Sequence, residues 1–122
     1  MRWLVDGMNV IGSRPTGWWR DRRGAMRDLV EALERFAAAT GEPVTVVFDS
    51  RPFELEGEGV EIRFATRRGP NAADDDIAAL AKEAAEPTEM CVVTSDADLS
   101  RRVEAAGAQV VGAGSFRRRL AE

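Results

Sequence analysis

The sequence contains no histidine, and this absence excludes several kinds of catalytic site. Without histidine there is no Ser-His-Asp or Cys-His nucleophile system and no imidazole ligand for a metal. The single cysteine, Cys91, excludes an intrachain disulfide and a cysteine-rich zinc site, and its apolar neighbours indicate a small buried hydrophobe. Chemistry at neutral pH would therefore depend on carboxylates, either alone or with an oxygen-seeking cation such as Mg²⁺ or Mn²⁺.

Long apolar runs are also missing. None approaches the roughly 18 residues that a membrane-spanning helix needs, and Asp6 comes too early for the apolar region of a signal peptide. With the sparse cysteine, these features predict a cytoplasmic protein with no membrane partner. A length of 122 residues is near the commonest domain size, so we expect residues 1–122 to form one domain.

Lysine is nearly absent, since Lys82 is the only one and the other sixteen basic residues are arginine. The net charge of −4 by itself argues against a nucleic-acid partner. An acidic pocket within an arginine-dotted surface would nevertheless give the same total. GC-rich coding also favours arginine, so the arginine bias does not identify a partner.

Strand-like and helix-like segments alternate along the chain. Residues 21–40 have apolar side chains three and four apart, with Asp21 as the N-cap and Gly41 as the stop, which predicts a helix. Further helices are expected to open at 72–77 and to cover 99–106 and 115–120. The predicted strands are 3–5, 44–48, 60–65, 90–94 and 108–111. Most are continuously apolar, as in a parallel sheet covered on both faces, whereas 60–65 alternates and should lie nearer an edge.

Acidic residues follow the predicted strands. Asp6, Asp49 and Asp96 each come after one, and Asp74 follows the segment that leaves the carboxyl end of strand 60–65. Because the carboxyl ends of parallel strands meet at one edge, we expect these four side chains to lie together. Clustered carboxylates need protons or a cation to offset their repulsion. The sequence therefore predicts a Mg²⁺ or Mn²⁺ site suited to phosphodiester hydrolysis, with Asp6, Asp74 and Asp96 as its direct or water-mediated ligands.

Other polar residues are assigned supporting roles. Asn9 would orient a bound water or a phosphate, while Asp49 and Asp98 would support a second cation or surround the ligands. Simpler explanations stay open, because Ser95 with Asp98 matches a capping box and the acids at 74–76 suit the start of a helix. Asp6-Gly7 also predicts a short turn after the first strand. Because Asp and Gly are common turn residues, the turn alone would explain Asp6.

Trp18 and Trp19 form an aromatic pair next to basic residues. Such a pair either covers the core or stacks on exposed bases. Six arginines near the acidic edge are candidate phosphate contacts, although each alone could be an ordinary surface residue: Arg20, Arg22, Arg23, Arg51, Arg67 and Arg68.

Four stretches together resemble the NYN domain of the PIN-like nucleases, in its bacterial YacP-like branch. The resemblance implies a three-layer PIN-like α/β fold, with a central, mostly parallel sheet flanked by helices, and metal-dependent endoribonuclease activity. It carries the family's acidic roles onto Asp6, Asp74, Asp96 and Asp98, with Asn9 at its motif position. The matching stretches, in the family's order, are Leu4-Val-Asp-Gly-Met-Asn-Val-Ile11, Val44-Thr-Val-Val-Phe-Asp49, Ala73-Asp-Asp-Asp-Ile77 and Val92-Val-Thr-Ser-Asp96.

Two details qualify the resemblance. Met8 stands where the family usually has tyrosine, which affects substrate fit more than metal binding, and Asp75 is the alternative to Asp74 in the run of three acids. The leading hypothesis is a Mg²⁺- or Mn²⁺-dependent ribonuclease acting on single-stranded RNA. The alternative is a catalytically weak or inactive RNA-binding or partner-binding module on the same fold. A phosphoacceptor receiver domain needs a lysine after a later strand to contact the phosphoryl group. It is disfavoured because Lys82 falls within a predicted helix. Ribosome association and homodimer formation are compatible with the sequence, which determines neither.

Overall fold

In the computed structural model, residues 1–121 are described, and five parallel strands form its central sheet. The strand order is β3-β2-β1-β4-β5, with every neighbouring pair parallel. All five predicted strands are confirmed to within one or two residues, and the alternating one lies at an edge. The strands are β1 (Arg2–Asp6), β2 (Val44–Phe48), β3 (Val60–Phe64), β4 (Met90–Val93) and β5 (Gln109–Val111).

Within residues 1–121 there are also five α-helices and two single turns of 3₁₀ helix, and the last α-helix follows the last strand. The longest helix follows its prediction, since the Asp21 side chain accepts the backbone N–H of Gly24 at 3.0 Å and Gly41 ends it with a φ of 69°. The helices are α1 (Gly7–Ile11), α2 (Arg22–Thr40), α3 (Ala72–Glu83), α4 (Ala97–Ala105) and α5 (Ala113–Leu120), and the 3₁₀ turns are Trp18–Arg20 and Pro87–Glu89.

Alternate side chains of the strands enter two separate cores, one on each face of the sheet. On one face Val5 and its neighbours pack against α1, α2 and α5, with Phe116 fully buried among them. On the other face Leu4 packs with Ile77 of α3 and Leu99 of α4. The sheet is therefore covered on both sides, and the predicted three-layer α/β fold is confirmed.

The turn predicted after Asp6 is wrong, because helix α1 begins directly at Gly7. A side chain at Gly7 would bring its Cβ to 2.5 Å from the ring of Phe48, so only glycine lets the helix start this close to β2. The chain therefore passes from the carboxyl end of β1 directly into helix α1.

The strand order switches sides between β1 and β4. Strands β2 and β3 lie on one side of β1, whereas β4 and β5 lie on its other side. Open α/β sheets place ligand sites in the crevice at such a switch point, outside the carboxyl ends of the strands. The order also differs from the 2-1-3-4-5 order of receiver-type folds, which removes that alternative. Among residues 1–121, no helix is both long enough and apolar enough to cross a membrane.

Candidate active site

A cavity of about 280 Å³ opens at the carboxyl edge of the sheet, next to the switch point. The four acids that the sequence analysis placed at this edge all line it. Its lining consists of Asp6, Met8, Asn9, Asp49, Asn71, Ala73, Asp74 and Asp96.

Asp6 is the most enclosed of these acids, with only 5% of its surface exposed. Its Oδ2 accepts a hydrogen bond from the hydroxyl of Thr94 at 3.1 Å. Burial raises the pKa of Asp6 to about 6, and the negative charges of Asp74 and Asp96 add to that effect. The Thr94 hydroxyl and the nearby backbone N–H of Asn9 act in the opposite direction, because they favour the ionised form. At neutral pH the protein therefore holds a buried negative charge at the end of β1.

The second and third of the three consecutive aspartates are engaged elsewhere. Asp75 forms ion pairs with Arg67 and with Arg102, the latter at 2.9 Å. Asp76 accepts hydrogen bonds from the backbone N–H and the hydroxyl of Thr66, both at 2.8 Å. These two acids fasten the start of α3 to the structure around it.

Asp74 has a different environment from its two neighbours. Its side chain lines the cavity, and within residues 1–121 it makes none of the hydrogen bonds or ion pairs that hold Asp75 and Asp76. Partial burial raises its pKa, and the charge of Asp96 is the next largest cause. The structure therefore places Asp74 in the acidic cavity and gives Asp75 an ion-pairing role.

Asp96 is both a helix cap and a lining residue of the cavity. Its Oδ1 accepts the backbone N–H of Leu99 at 2.8 Å, and its own backbone N–H donates to the Thr94 hydroxyl at 3.1 Å. The alternative that Ser95 and Asp98 form a capping box is wrong, because α4 begins one residue later with Asp96 as its N-cap. The second carboxylate oxygen of Asp96 accepts no hydrogen bond from residues 1–121.

Asp98 does not line the cavity. It lies in the exposed first turn of α4 and forms an ion pair with Arg101 at 3.2 Å, in which both side chains are more than two-thirds exposed. Its charge nevertheless contributes to raising the pKa of Asp74. Asp98 is thus close enough to affect the charge of the site but does not line the cavity.

Asn9 and Thr94 position the acids. The side-chain oxygen of Asn9 accepts the backbone N–H of Ser95 at 2.8 Å, which ties α1 to the segment after β4. Thr94 is 1% exposed, and its single hydroxyl joins Asp6 to the backbone of Asp96. Thr94 was not among the site residues predicted from the sequence. Its signal is a hydroxyl at the end of an apolar strand, immediately before the acidic segment.

Met8 and Asn71 form other parts of the wall. Met8 is half-buried, packs against the core and presents an apolar side chain to the cavity. Asn71 precedes α3 with a φ of 61°, the one positive φ at a non-glycine residue within 1–121. Asn71 is typical of a turn after Gly-Pro, and its place in the cavity wall was not predicted from the sequence.

None of the six candidate arginines lines the cavity. Arg22 comes nearest in contacts, since its guanidinium donates to the backbone carbonyl of Asp49 at 3.2 Å. Arg67 is paired with Asp75, while Arg20 and Arg23 lie over the rings of Trp19 and Phe53. Arg51 and Arg68 are exposed.

Outside the six, Arg117 has a structural role, because it donates to the carbonyls of Val10 and Ile11 at the end of α1. A larger groove of about 650 Å³ lies between α1, α2 and α5, but it contains none of the acids at the sheet edge. The predicted acids at the sheet edge therefore meet in the smaller cavity.

The donors around the cavity are oxygen atoms of carboxylates and amides, which suit a hard divalent cation. Mutual repulsion among Asp6, Asp74 and Asp96 gives a cation a favourable place to bind. Across the described part of the chain, however, no three acidic or cysteine side chains converge closely enough to form a ready-made metal-binding group. The donor chemistry fits a divalent cation, and direct coordination by three carboxylates would require side-chain movement.

Comparisons with known proteins agree with this architecture. The family model described as the YacP-like NYN domain matches residues 3–122. A solved structure of a mutant of Rae1 (YacP) from Bacillus subtilis is similar with a TM-score of 0.83 and 28% identity, covering 99% of this chain and 76% of that one. A second structure of Rae1 (YacP) from the same organism gives a TM-score of 0.79 and 26% identity, covering 99% and 74%. No curated protein compared with the chain matches it significantly.

Proposed function

The chain belongs to the YacP-like NYN domain family, and from this membership and the acidic cavity we propose that it is a metal-dependent endoribonuclease acting on single-stranded RNA. The family itself indicates a ribonuclease-type nuclease with RNA as substrate. The metal requirement and the preference for single strands are the further steps of the proposal.

The observation that carries the proposal is the buried Asp6 carboxylate, which shares one cavity with Asp74 and Asp96. Keeping this acid buried beside two others raises its pKa and costs folding free energy. Perturbed acids in a cleft are typical of functional sites, and this cleft lies at the switch point of the sheet, where ligands bind.

Asp6, Asp74 and Asp96 are the residues that would hold Mg²⁺ or Mn²⁺. Such a cation, when bound, activates water and neutralises the charge of a phosphodiester. Thr94 and Asn9 keep the ends of β1 and β4 together, so that the acids on both strands face the same cavity. Asp49, which lines the cavity, and Asp98, which lies outside it, stay predicted supporting residues.

Cleavage of end-labelled RNA tests the proposal. We expect wild-type protein to cut a single-stranded oligonucleotide with Mn²⁺ or Mg²⁺, to leave the same sequence intact as a duplex, and to stop with EDTA. Asp96→Asn should lose at least a hundredfold in rate, the order expected when a group that supports catalysis is removed. Glu104→Gln is a matched control, because it removes an exposed acid from the same helix.

The alternative, an RNA-binding or partner-binding module without activity, is favoured by one observation. No three carboxylates within residues 1–121 form a ready-made metal group. If Asp6→Asn leaves RNA binding and any cleavage unchanged, the enzyme proposal fails and this alternative stands. A cytoplasmic location, ribosome association and homodimer formation stay predictions.

A further inference from the structure

The most exposed aromatic residue in the described part of the chain is Trp19, with 55% of its surface open to solvent. It lies in the 3₁₀ turn before α2, edge-on to Trp18, with 5.9 Å between the ring centroids and 83° between the planes. Trp18 is half-buried and packs against the core, so it fixes the turn, while Trp19 keeps a ring surface exposed. Packing against the core therefore accounts for a tryptophan at position 18, whereas it does not account for one at position 19.

Arginines surround this pair. The guanidinium of Arg20 lies 6.0 Å from the Trp19 ring and that of Arg22 lies 5.8 Å from the Trp18 ring. We call Trp18, Trp19, Arg20 and Arg22 the Trp–Arg platform. Between residues 14 and 27 the chain has five arginines and one acid, although its net charge is −4. The platform is thus a local positive surface with an exposed aromatic ring, the combination that binds a single nucleic-acid strand.

The platform is connected to the acidic cavity by one side chain. Arg22, which lies over Trp18, also donates to the carbonyl of Asp49 at 3.2 Å, and Asp49 lines the cavity. An RNA strand that leaves the cavity at Asp49 would therefore meet Arg22 first, and the Trp18 ring lies within reach of that same side chain. The acids repel phosphates in the absence of a cation, whereas the platform attracts them.

We propose that Trp19 stacks on an unpaired base of the RNA strand that the cavity cleaves, while Arg20 and Arg22 contact the phosphates beside that base. This inference rests on the proposed function, because it gives the same site its substrate class. A base within a duplex already stacks on both sides, so a ring such as Trp19 selects single strands. Stacking uses the face that every base has, so the platform favours single-stranded RNA without reading its sequence.

Binding in EDTA, where no cleavage is expected, tests the platform separately from catalysis. The probe is a short fluorescein-labelled single-stranded RNA, compared with a ribose-phosphate oligomer of the same length that lacks bases. Trp19→Ala should weaken binding of the RNA about tenfold, as expected for the loss of one stacked base, and leave binding of the abasic oligomer unchanged. Trp19→Phe should keep most of the affinity. Arg2→Ala, at the opposite edge of the sheet, should bind both probes as wild type does.

Two results would overturn the proposal. The first is RNA affinity unchanged in Trp19→Ala, whether or not self-association or partner binding changes. The second is an equal loss for RNA and for the abasic oligomer, since that would indicate charge or folding instead of stacking. If the wild-type protein cleaves nothing but Trp19 still distinguishes the two probes, the platform stands and the ribonuclease proposal fails. If cleavage occurs and Trp19 has no effect on RNA affinity, only the platform fails.

Discussion

Replacing Asp6 with asparagine is expected to stabilise the metal-free protein while removing its activity. The Asp6 pKa of about 6, against an ordinary value of 3.8, shows that the fold disfavours the ionised side chain. Since a tenfold change in an acid's dissociation constant is about 1.4 kcal/mol, the ionised form costs roughly 3 kcal/mol at pH 7. Asparagine has no charge, and its side-chain oxygen can still accept the hydrogen bond from Thr94.

The pH dependence has a definite sign. Between about pH 4 and pH 6 the folded wild-type protein binds more protons at Asp6 than the unfolded chain, so its free energy of unfolding falls as pH rises. The free energy of unfolding of Asp6→Asn should not fall in this way, because asparagine does not titrate. The two proteins should therefore be equally stable near pH 4, and the variant should gain its advantage by about pH 6 and keep it above that pH.

Urea denaturation in EDTA from pH 4 to pH 8 measures the difference, with Asp28→Asn as a control that changes an exposed acid on α2. Added Mn²⁺ should then stabilise the wild type and leave Asp6→Asn unchanged, because a cation that binds only the folded state adds about 2.7 kcal/mol at a hundred times its Kd. A variant no more stable than the wild type at pH 7, or a difference that does not shrink towards pH 4, would refute this reasoning.

Four further substitutions test the roles of residues in and beside the site. Thr94→Val should destabilise the fold by about 1–2 kcal/mol and move the acid limb of the pH–rate profile to higher pH, because the hydroxyl that lowers the pKa of Asp6 is lost. Asp74→Asn should abolish cleavage without lowering the melting temperature. Asp75→Asn should keep cleavage, and its free energy of unfolding should fall by at most about 1 kcal/mol, because the ion pairs that it loses are partly exposed. The opposite pattern would reverse the two roles. Gly7→Ala should cost about 1–3 kcal/mol in urea denaturation, since its Cβ would meet the β2 phenylalanine ring, and unchanged stability would contradict the close approach.

The layers of the fold could be predicted because each core strand has a continuous apolar run and α2 has a clear three-and-four spacing. Helix α1 was missed for a physical reason, since five residues are too few to show helical periodicity. The α4 cap was misplaced because Ser95 and Asp96 are adjacent and both residue types cap helices well. Only the contacts distinguish them, as Asp96 accepts the N–H of Leu99 and Ser95 accepts that of Ala113.

The composition of the acidic cavity could also be predicted in part. The shared direction of the strands brings Asp6, Asp49 and Asp96 to one edge whatever the detailed packing, because each lies at or after the carboxyl end of a parallel strand. The roles within the three-acid run could not be derived in this way. They depend on partners distant in sequence, such as Arg102 for Asp75 and Thr66 for Asp76.

The most direct test of a metal-dependent ribonuclease compares Mn²⁺ binding with cleavage in the same preparations. We predict that the Kd for Mn²⁺ from calorimetry equals the Mn²⁺ concentration that gives half-maximal cleavage of single-stranded RNA. Both signals should disappear together in Asp74→Asn. Cleavage that continues undiminished in EDTA, or in Asp74→Asn without bound Mn²⁺, would contradict the account.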